Sequence, residues 1–250
     1  MRVIAVSGGK GGVGKTLVAI NLAVALSKRK HKTILFDADL QLANLDIALN
    51  LEPEFNLQHV VFGERSLAEI LTPGPAGIRV VTGGSAVNGL MNAGPKRMAT
   101  FIGQFEELEA ECDYLIFDTG AGLDQKVMTF LNLAQETILV TTPDPTSVTD
   151  AYATAKVLWK KKPDAHVSIL VNQVQSADEA QKVHRTLGLI CQQYLQKKPG
   201  FLGGIRADLK AMESIRKRTP VVLGDPNCAA SEDFDALAVL LASTARTVAA

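Results

Sequence analysis

The chain has 250 residues, of which 47% are hydrophobic and 21% charged, and its 26 basic residues balance its 26 acidic ones. This composition is typical of a globular protein and excludes a global charge signal for nucleic acid or an anionic membrane. Cys112, Cys191 and Cys228 lie far apart without a C-x-x-C pair, which argues against a disulfide framework or a zinc or iron–sulfur site within one chain. We find neither a signal peptide nor an apolar run of transmembrane length, so we expect a cytoplasmic protein.

Short apolar segments alternate along the chain with segments of helical length. This alternation predicts a single α/β domain over residues 1–250, with a mostly parallel sheet of seven or eight strands and helices on both faces. The predicted strands are Val3–Ser7, Thr33–Asp37, Ile78–Thr82, Tyr114–Asp118, Thr137–Thr141, His166–Asn172 and Phe201–Ile205. The predicted helices are Lys15–Arg29, Leu57–Phe62, Ser66–Leu71, Pro95–Glu111, Asp124–Ala134, Pro145–Trp159, Ala177–Lys197, Leu209–Arg218 and Ser231–Val248.

Most predicted helices begin with a recognisable cap. Ser66 and Glu69 have the spacing of a capping box, and Pro95 suits a first helical turn. Ser231 precedes acidic residues, which favour a helix N-terminus.

The strongest functional pattern lies in the first sixteen residues. An apolar run ends at Ser7 and leads into Gly8-Gly9-Lys10-Gly11-Gly12-Val13-Gly14-Lys15-Thr16, which from Gly9 fits the phosphate-binding pattern G-x-x-x-x-G-K-[ST]. The glycines let backbone N–H groups approach phosphates, Lys15 neutralises charge, and the Thr16 hydroxyl reaches Mg²⁺. The pattern predicts a P-loop NTPase in which nucleotide contacts come from Gly9, Gly11, Gly12, Val13, Gly14, Lys15, Thr16 and Leu17.

Two predicted strands end in carboxylates. One ends at Asp37, with Asp39 two residues further on, and the other ends at Asp118 and is followed by a glycine-rich turn. Ligands of open α/β sheets bind beyond the carboxyl ends of the strands, where Asp118 would hold Mg²⁺ through water. An isolated Asp after a strand is more often a turn or a helix cap, but the phosphate loop favours the metal-binding interpretation.

Lys10 is a second lysine inside the loop, and its simplest explanation is a solvated side chain. However, Lys10-Gly11-Gly12-Val13-Gly14-Lys15-Thr16 resembles the deviant Walker A motif of the ParA/MinD ATPases. In that family the first lysine reaches across an ATP-bound dimer to the partner's phosphates. The resemblance implies ATP or ADP and Mg²⁺ as cofactors, an ATP-dependent homodimer, and catalytic roles for Lys10, Lys15 and Asp39.

The segment Asp37–Asp46 is similar to one in the FlhG/FleN flagellar-number regulators of that family. The similarity implies that Asp39 positions the attacking water near the metal, that Asp118 supports Mg²⁺, and that Asn172 hydrogen-bonds the adenine. Gly204-Ile205-Arg206-Ala207-Asp208 falls where relatives line the adenine, which implies nucleotide contacts at Arg206 and Asp208. Arg206 replaces the usual proline there.

Relatives in this family bind further partners, and for each partner the residues of this chain also have a simpler explanation. The last predicted helix has an acidic polar face, so we expect it to pack on the sheet, with membrane binding weak or absent. Arg216-Lys217-Arg218 keeps DNA binding open as the less favoured alternative. The helix from Thr146 is either a protein-docking surface or an ordinary capped helix. Because the chain starts at the first strand, we do not expect it to stimulate the GTPase FlhF, which relatives activate through an N-terminal extension.

Three functions therefore stand as hypotheses. The first is an ATP-dependent dimerising switch with slow hydrolysis that regulates the position or number of a cellular structure, foremost flagella. The second is a ParA-type DNA partition ATPase or a MinD-type division-site regulator. The third is a metal-cluster carrier of the same fold, which would require bridging cysteines at a dimer interface.

Overall fold

The computed structural model describes residues 1–39, 44–83 and 94–248, and its strands form one eight-stranded sheet. The strand order is β3-β4-β2-β5-β1-β6-β7-β8, and every neighbouring pair is parallel except β3 with β4. The strands are β1 (Arg2–Ser7), β2 (Thr33–Ala38), β3 (Thr72–Pro73), β4 (Arg79–Val81), β5 (Tyr114–Thr119), β6 (Glu136–Thr141), β7 (His166–Val174) and β8 (Gly200–Arg206). All seven predicted strands are present, and the two-residue β3 is an addition.

The helices of the described residues cover both faces of this sheet, as the alternation of segments predicts. They are α1 (Lys15–Lys28), α2 (Leu45–Leu49), α3 (Leu57–Val61), α4 (Gly94–Glu107), α5 (Gln125–Leu133), α6 (Pro145–Lys161), α7 (Ala177–Leu195), α8 (Leu209–Lys217), α9 (Val221–Gly224) and α10 (Ala229–Val248). Helices α3 to α7 pack on one face, whereas α1, α2, α8, α9 and α10 pack on the other. The prediction of a mostly parallel, doubly covered sheet is confirmed.

The predicted helix at Ser66–Leu71 is wrong, because this segment forms turns. The capping-box bonds themselves are present: the Ser66 amide donates to Glu69 Oε2 at 2.8 Å and the Glu69 amide donates to Ser66 Oγ at 3.4 Å. Only a few residues separate this cap from β3, and so short a segment gains too few hydrogen bonds to offset the cost of helix nucleation. A cap therefore formed without a helix behind it.

Several helix ends differ from their predicted positions by one residue or more, among them the end of α4 and the start of α10. Helix α4 stops at Glu107 and continues as a single 3₁₀ turn over Leu108–Ala110. Helix α10 begins at Ala229, so Ser231 lies inside it and its hydroxyl donates to the carbonyl oxygen of Asp225 at 2.8 Å. The short helices α2 and α9 have no counterpart among the predicted elements.

The apolar face of α10 packs against the core. Phe234, Leu237 and Leu241 are buried in the core beside α1. This packing agrees with the expectation that the last helix covers the sheet. Among the described residues, no helix combines the length and apolar character needed to cross a membrane.

Alternation along the strands supplies the two halves of the core. In β2, Ile34 and Phe36 face α3 to α7, whereas Leu35 faces α1. The ring of Phe36 lies 5.4 Å from that of Phe117 and 5.5 Å from that of Phe130, measured between centroids. These aromatic contacts fix β2 and β5 relative to α5.

The aromatic cluster predicts a large stability loss on truncation of Phe130, whose side chain is 1% exposed. Phe130→Ala should lower the free energy of unfolding by about 3–5 kcal/mol, because it removes buried area and leaves a cavity. Phe62→Ala is the control, since Phe62 is 61% exposed, and it should change stability by less than about 0.5 kcal/mol. Urea denaturation measures both, and equal losses would contradict the assignment of the core.

Candidate functional site

The loop between β1 and α1 has a backbone that glycine adopts most readily at two positions. Gly12 has φ 81° and Gly14 has φ 92°, both in the left-handed region. Gly14 is also the N-cap of α1, and no side chain caps the first turn of that helix. The uncapped amides at the start of α1 are available to a phosphate group, as at other anion-binding helix N-termini.

Close contacts hold this phosphate loop between α6 and β7. A Cβ atom on Gly9 would lie 2.4 Å from the carbonyl oxygen of Asp150, and one on Gly14 would lie 2.3 Å from Nδ2 of Asn172. The Asn172 Nδ2 donates to the carbonyl oxygen of Val13 at 2.8 Å. The loop therefore has no room for side chains at Gly9 or Gly14.

Asn172 thus has a structural role that its motif does not indicate. Its side chain is buried, and its Oδ1 accepts a hydrogen bond from the Gln173 amide at 2.9 Å. Both ends of the Asn172 amide are bonded within the protein, which fixes the loop to the end of β7. The predicted bond from Asn172 to adenine stays a prediction and would need the second N–H of Nδ2.

Lys15 lies under the loop with its ammonium group held in place. The side chain is 9% exposed, and Nζ donates to the carbonyl oxygen of Lys10 at 3.3 Å. Burial lowers the pKa of Lys15, while the charges of Asp118 and Asp39 act in the opposite direction. The two carboxylates thus favour a charged ammonium group at the position where the motif requires one.

The Lys10 side chain contacts the N-terminus of α6. Its Nζ lies 3.0 Å from Asp144 Oδ2 and 2.6 Å from Thr146 Oγ1. Asp144 is the N-cap of α6, accepting a bond from the Thr146 amide at 2.8 Å. The Lys10 hydrogen bond and the Thr146 amide lower the pKa of Asp144. Sequence reasoning missed Asp144, which lies 134 residues from Lys10.

Asp118 has the features of an open metal ligand. It is 1% exposed, the Thr16 hydroxyl hydrogen-bonds its carboxylate, and within the described part of the chain its Oδ1 has no hydrogen-bond partner. Burial raises the pKa of Asp118 to about 8. A buried acceptor without a donor is costly, so this oxygen is suited to a cation.

Asp39 lies across from Asp118 at the same edge of the sheet. Its Oδ1 would be 3.1 Å from a Cβ atom on Gly120, which follows Asp118 by two residues. Lys15 is near enough for the charges of both acids to shift its pKa. The structure therefore brings together four predicted residues: Lys15, Thr16, Asp39 and Asp118.

This donor set suits Mg²⁺. The Thr16 hydroxyl and the carboxylates of Asp39 and Asp118 would hold it, because Mg²⁺ takes one or two carboxylates and keeps water or phosphate oxygens as its other ligands. In the portion of the chain that the structure describes, no group of three or more His, Cys, Asp and Glu could hold a metal by itself. The free thiols of Cys112 and Cys191 are buried.

Arg206 and Asp208 are engaged elsewhere in the fold. The Arg206 guanidinium pairs with Asp233 at 2.9 Å and with Glu232 at 2.9 Å, which ties β8 to α10. Asp208 caps α8 by accepting a bond from the Lys210 amide at 2.8 Å. Both side chains are thus bonded within the protein, and the nucleotide contacts predicted at Arg206 and Asp208 stay a prediction.

A groove of about 460 Å³ opens beside the phosphate loop, between α1, α2 and α8. Leu17, Ile20, Ile47 and Ile215 give it apolar walls, and Lys15 and Thr16 lie on its loop side. Ile47 and Ile215 are about three-fifths exposed, at 59% and 60%. Sequence reasoning missed this groove, because it arises where α2, which was not predicted, meets α8.

The buried acids predict a stability that depends on pH. Burial raises the pKa of Asp118 to about 8 and that of Asp37 to about 7, so the folded protein keeps protons that the unfolded chain loses near pH 4. Stability without nucleotide should therefore fall as pH rises from 5 to 8.

Asp118→Asn removes an ionisable group, so its stability relative to the unsubstituted protein should increase steadily from about pH 5 to pH 8. Thermal unfolding at a series of pH values measures this difference. Asp164→Asn, at an exposed carboxylate, is the control. A difference for Asp118→Asn that stays constant over this range would contradict the assignment.

Comparisons with known proteins agree with this geometry. Antiactivator FleN from Pseudomonas aeruginosa is 36% identical over 238 residues, covering 95% of this chain and 85% of that protein. The flagellum site-determining protein YlxH from Helicobacter pylori is 32% identical over 248 residues, covering 98% and 83%.

A solved structure and a family model extend the likeness. The septum site-determining protein MinD from Pyrococcus horikoshii, complexed with Mg-ADP, has a TM-score of 0.79 and 26% identity, with 98% of this chain and 97% of that chain covered. The ParA model, described as NUBPL iron-transfer P-loop NTPase, matches residues 1–242. The phosphate loop, the acids at the sheet edge and these matches together show that the chain belongs to the ParA/MinD family of P-loop ATPases.

Proposed function

We propose that this protein is a slowly hydrolysing ATPase that dimerises around two Mg·ATP and thereby regulates the number or placement of flagella. The flagellar role is supported by the similarity to the FleN and YlxH proteins, whose names assign them to flagellar control. The observation that carries the switch is the position of Lys10, which lies outside its own phosphate site and pairs with Asp144.

The strength of the Lys10 contact suits a reversible switch. The Lys10 and Asp144 side chains are 42% and 46% exposed. Exposed ion pairs contribute little to stability, whereas a charge-assisted bond to phosphate in a closed interface is stronger. A partner's phosphates would therefore displace Asp144 from Lys10 at little cost, and a protomer without such a partner keeps Lys10 on its own α6.

Hydrolysis in this account is positioning combined with electrostatic stabilisation. The loop amides and Lys15 would bind the phosphates, and Thr16, Asp39 and Asp118 would hold Mg²⁺, whose charge would offset that of the phosphates. Asp39 orients the attacking water from its place against Gly120. Lys10 of one protomer completes the site of the other.

The same switch gives α6 a role in partner binding. In the structure, Lys10 hydrogen-bonds the side chains of Asp144 and Thr146 at the start of that helix. Dimerisation would free both residues, so a protein partner that docks there would distinguish dimer from monomer. Under this proposal the protein is cytoplasmic, its membrane binding is weak or absent, and DNA binding is the less favoured alternative.

The basic residues at the end of α8 are the observation that bears on DNA. Lys217 pairs with Glu213 at 3.4 Å, and Arg218 donates to Asn50 Oδ1 at 3.2 Å. Two of the three cations are thus partly neutralised or engaged within the protein, which lowers their value as phosphate contacts. A gel shift at low salt with ATP tests the ParA-type alternative.

Lys10→Ala should bind ATP with nearly unchanged affinity and remain a monomer, because the lysine is needed only across the interface. Light scattering with ATP and with a non-hydrolysable analogue measures the mass. Lys15→Ala is the first control and should lose nucleotide binding altogether. Lys30→Ala, at the exposed end of α1, is the second and should dimerise normally. A Lys10→Ala protein that dimerises with ATP would overturn the role in trans.

Asp39→Ala should bind ATP, dimerise and accumulate as a trapped dimer. Its turnover should fall by about 10²-fold or more, as expected when a group that orients the nucleophile is removed. Phosphate release and light scattering measure the two effects. Asp46→Ala, which removes an acid from α2, is the control and should keep its turnover. Normal turnover by Asp39→Ala would assign the water to another residue.

A further inference from the structure

Asp37 is a buried acid at the sheet edge to which the motif gives no separate role. It is 1% exposed and lies next to the last residue of β2, opposite Asp118, its register partner in the neighbouring strand β5. Sequence alone places both acids next to the metal site, because both lie near the ends of strands that end at the same edge. Their hydrogen-bond partners distinguish the roles of the two acids.

Both oxygens of the Asp37 carboxylate accept bonds from backbone N–H groups. The Asp39 amide donates to Oδ1 at 3.2 Å, and the amides of Asn44 and Leu45 donate to Oδ2 at 3.0 and 3.1 Å. By contrast, Asp118 Oδ1 has no partner among the described residues. A carboxylate that already accepts three amides in a buried place is occupied by the protein, whereas Asp118 is open to a cation.

These three bonds join the two described ends of one segment. The Asp39 amide lies just after β2, and the amides of Asn44 and Leu45 lie at the start of α2. The Asn44 side chain makes no cap bond to α2, so Asp37 serves as the cap from outside the helix. One carboxylate therefore fixes both Asp39 and α2.

Each of these elements borders the nucleotide site. Asp39 lies against Gly120, and Ile47 and Ala48 of α2 line the groove beside the phosphate loop. The position of Asp39 relative to a bound phosphate thus depends on Asp37, although both oxygens of Asp37 already accept backbone amides.

The geometry points to Asp37 as a positioning residue for hydrolysis: it is a clamp that holds Asp39 after β2 and the start of α2 together so that Asp39 faces the phosphates, and it is not a magnesium ligand. This inference rests on the role proposed for Asp39. It gives the two neighbouring acids different functions: Asp118 would bind the metal, whereas Asp37 holds the backbone in place.

Asp37→Asn tests the clamp, because the amide keeps the shape and replaces one acceptor by a donor that opposes a backbone N–H. Turnover at saturating ATP should fall by about 10²-fold, as expected for a misplaced catalytic group. Affinity for Mg·ADP should stay within about threefold, and the amides of Asn44 and Leu45 should exchange faster. Asp113→Asn is the matched control: Asp113 accepts the Lys32 amide at 2.8 Å, at the opposite end of the same two strands.

The control should lose stability without losing turnover or the protection of Asn44 and Leu45. A large loss of Mg·ADP affinity in Asp37→Asn, with binding no longer dependent on Mg²⁺, would make Asp37 a metal ligand and overturn the inference. Unchanged turnover together with unchanged amide exchange would also overturn it.

The unsubstituted protein gives a second test that does not require the variant to fold. Hydrogen exchange at Asn44 and Leu45 should remain slow both without ligand and with Mg·ADP. Loss of protection on addition of Mg²⁺ and ADP would show the carboxylate leaving the amides for the metal, against the clamp. Asp39→Ala separates the two ideas: normal turnover by that variant removes the role of Asp39, whereas amide protection reports on Asp37 alone.

Discussion

The phosphate loop depends on two close contacts that only glycine allows. Gly9 lies against the backbone of Asp150 in α6, and Gly14 lies against the Asn172 amide at the end of β7. The loop is therefore not an isolated turn but part of the packing between β1, β7 and α6. A movement of the loop on phosphate binding would therefore displace α6, because Gly9 and Asp150 leave no free space between them.

The distribution of charge at the sheet edge follows from the same packing. Parallel strands bring Asp37, Asp39 and Asp118 to one edge, and α1 brings Lys15 beneath the loop. Burial raises the pKa of Asp37 and of Asp118, and the charges of the neighbouring acids raise each pKa further. Backbone amides satisfy Asp37, whereas Asp118 Oδ1 has no hydrogen-bond partner among the described residues, so Asp118 is the more open of the two to a cation.

Much of this arrangement could be predicted from the sequence because it depends on local patterns. The alternation of apolar strands and helices predicts the sheet, and the glycine-lysine motif predicts the phosphate loop. The short helices α2 and α9 could not be predicted, since segments of five and four residues have little helical stability of their own and depend on tertiary packing. The predicted helix at Ser66 failed although its cap forms and Leu67 and Ile70 are buried, so a cap and apolar packing were not sufficient for a helix in this segment.

Contacts between distant residues were also beyond sequence reasoning. The bond from Lys10 to Asp144 spans 134 residues and that from Asn172 to Val13 spans 159, and neither residue type dictates the pairing. Arg206 and Asp208 show the converse case: their positions resemble a nucleotide-binding segment, but ion pairs and a helix cap engage their side chains. Polar side chains acquire such roles only once the fold has placed their partners.

The central claim is that Lys10 acts on the nucleotide of the partner protomer. Mixing Lys10→Ala with Lys15→Ala tests it most directly, because each variant alone lacks a complete site, whereas their mixed dimer holds ATP in the first protomer and receives Lys10 from the second. We predict that the mixture hydrolyses ATP at a rate that rises with the product of the two concentrations. A mixture that hydrolyses ATP only at the sum of the two separate rates, at every concentration, would contradict the account.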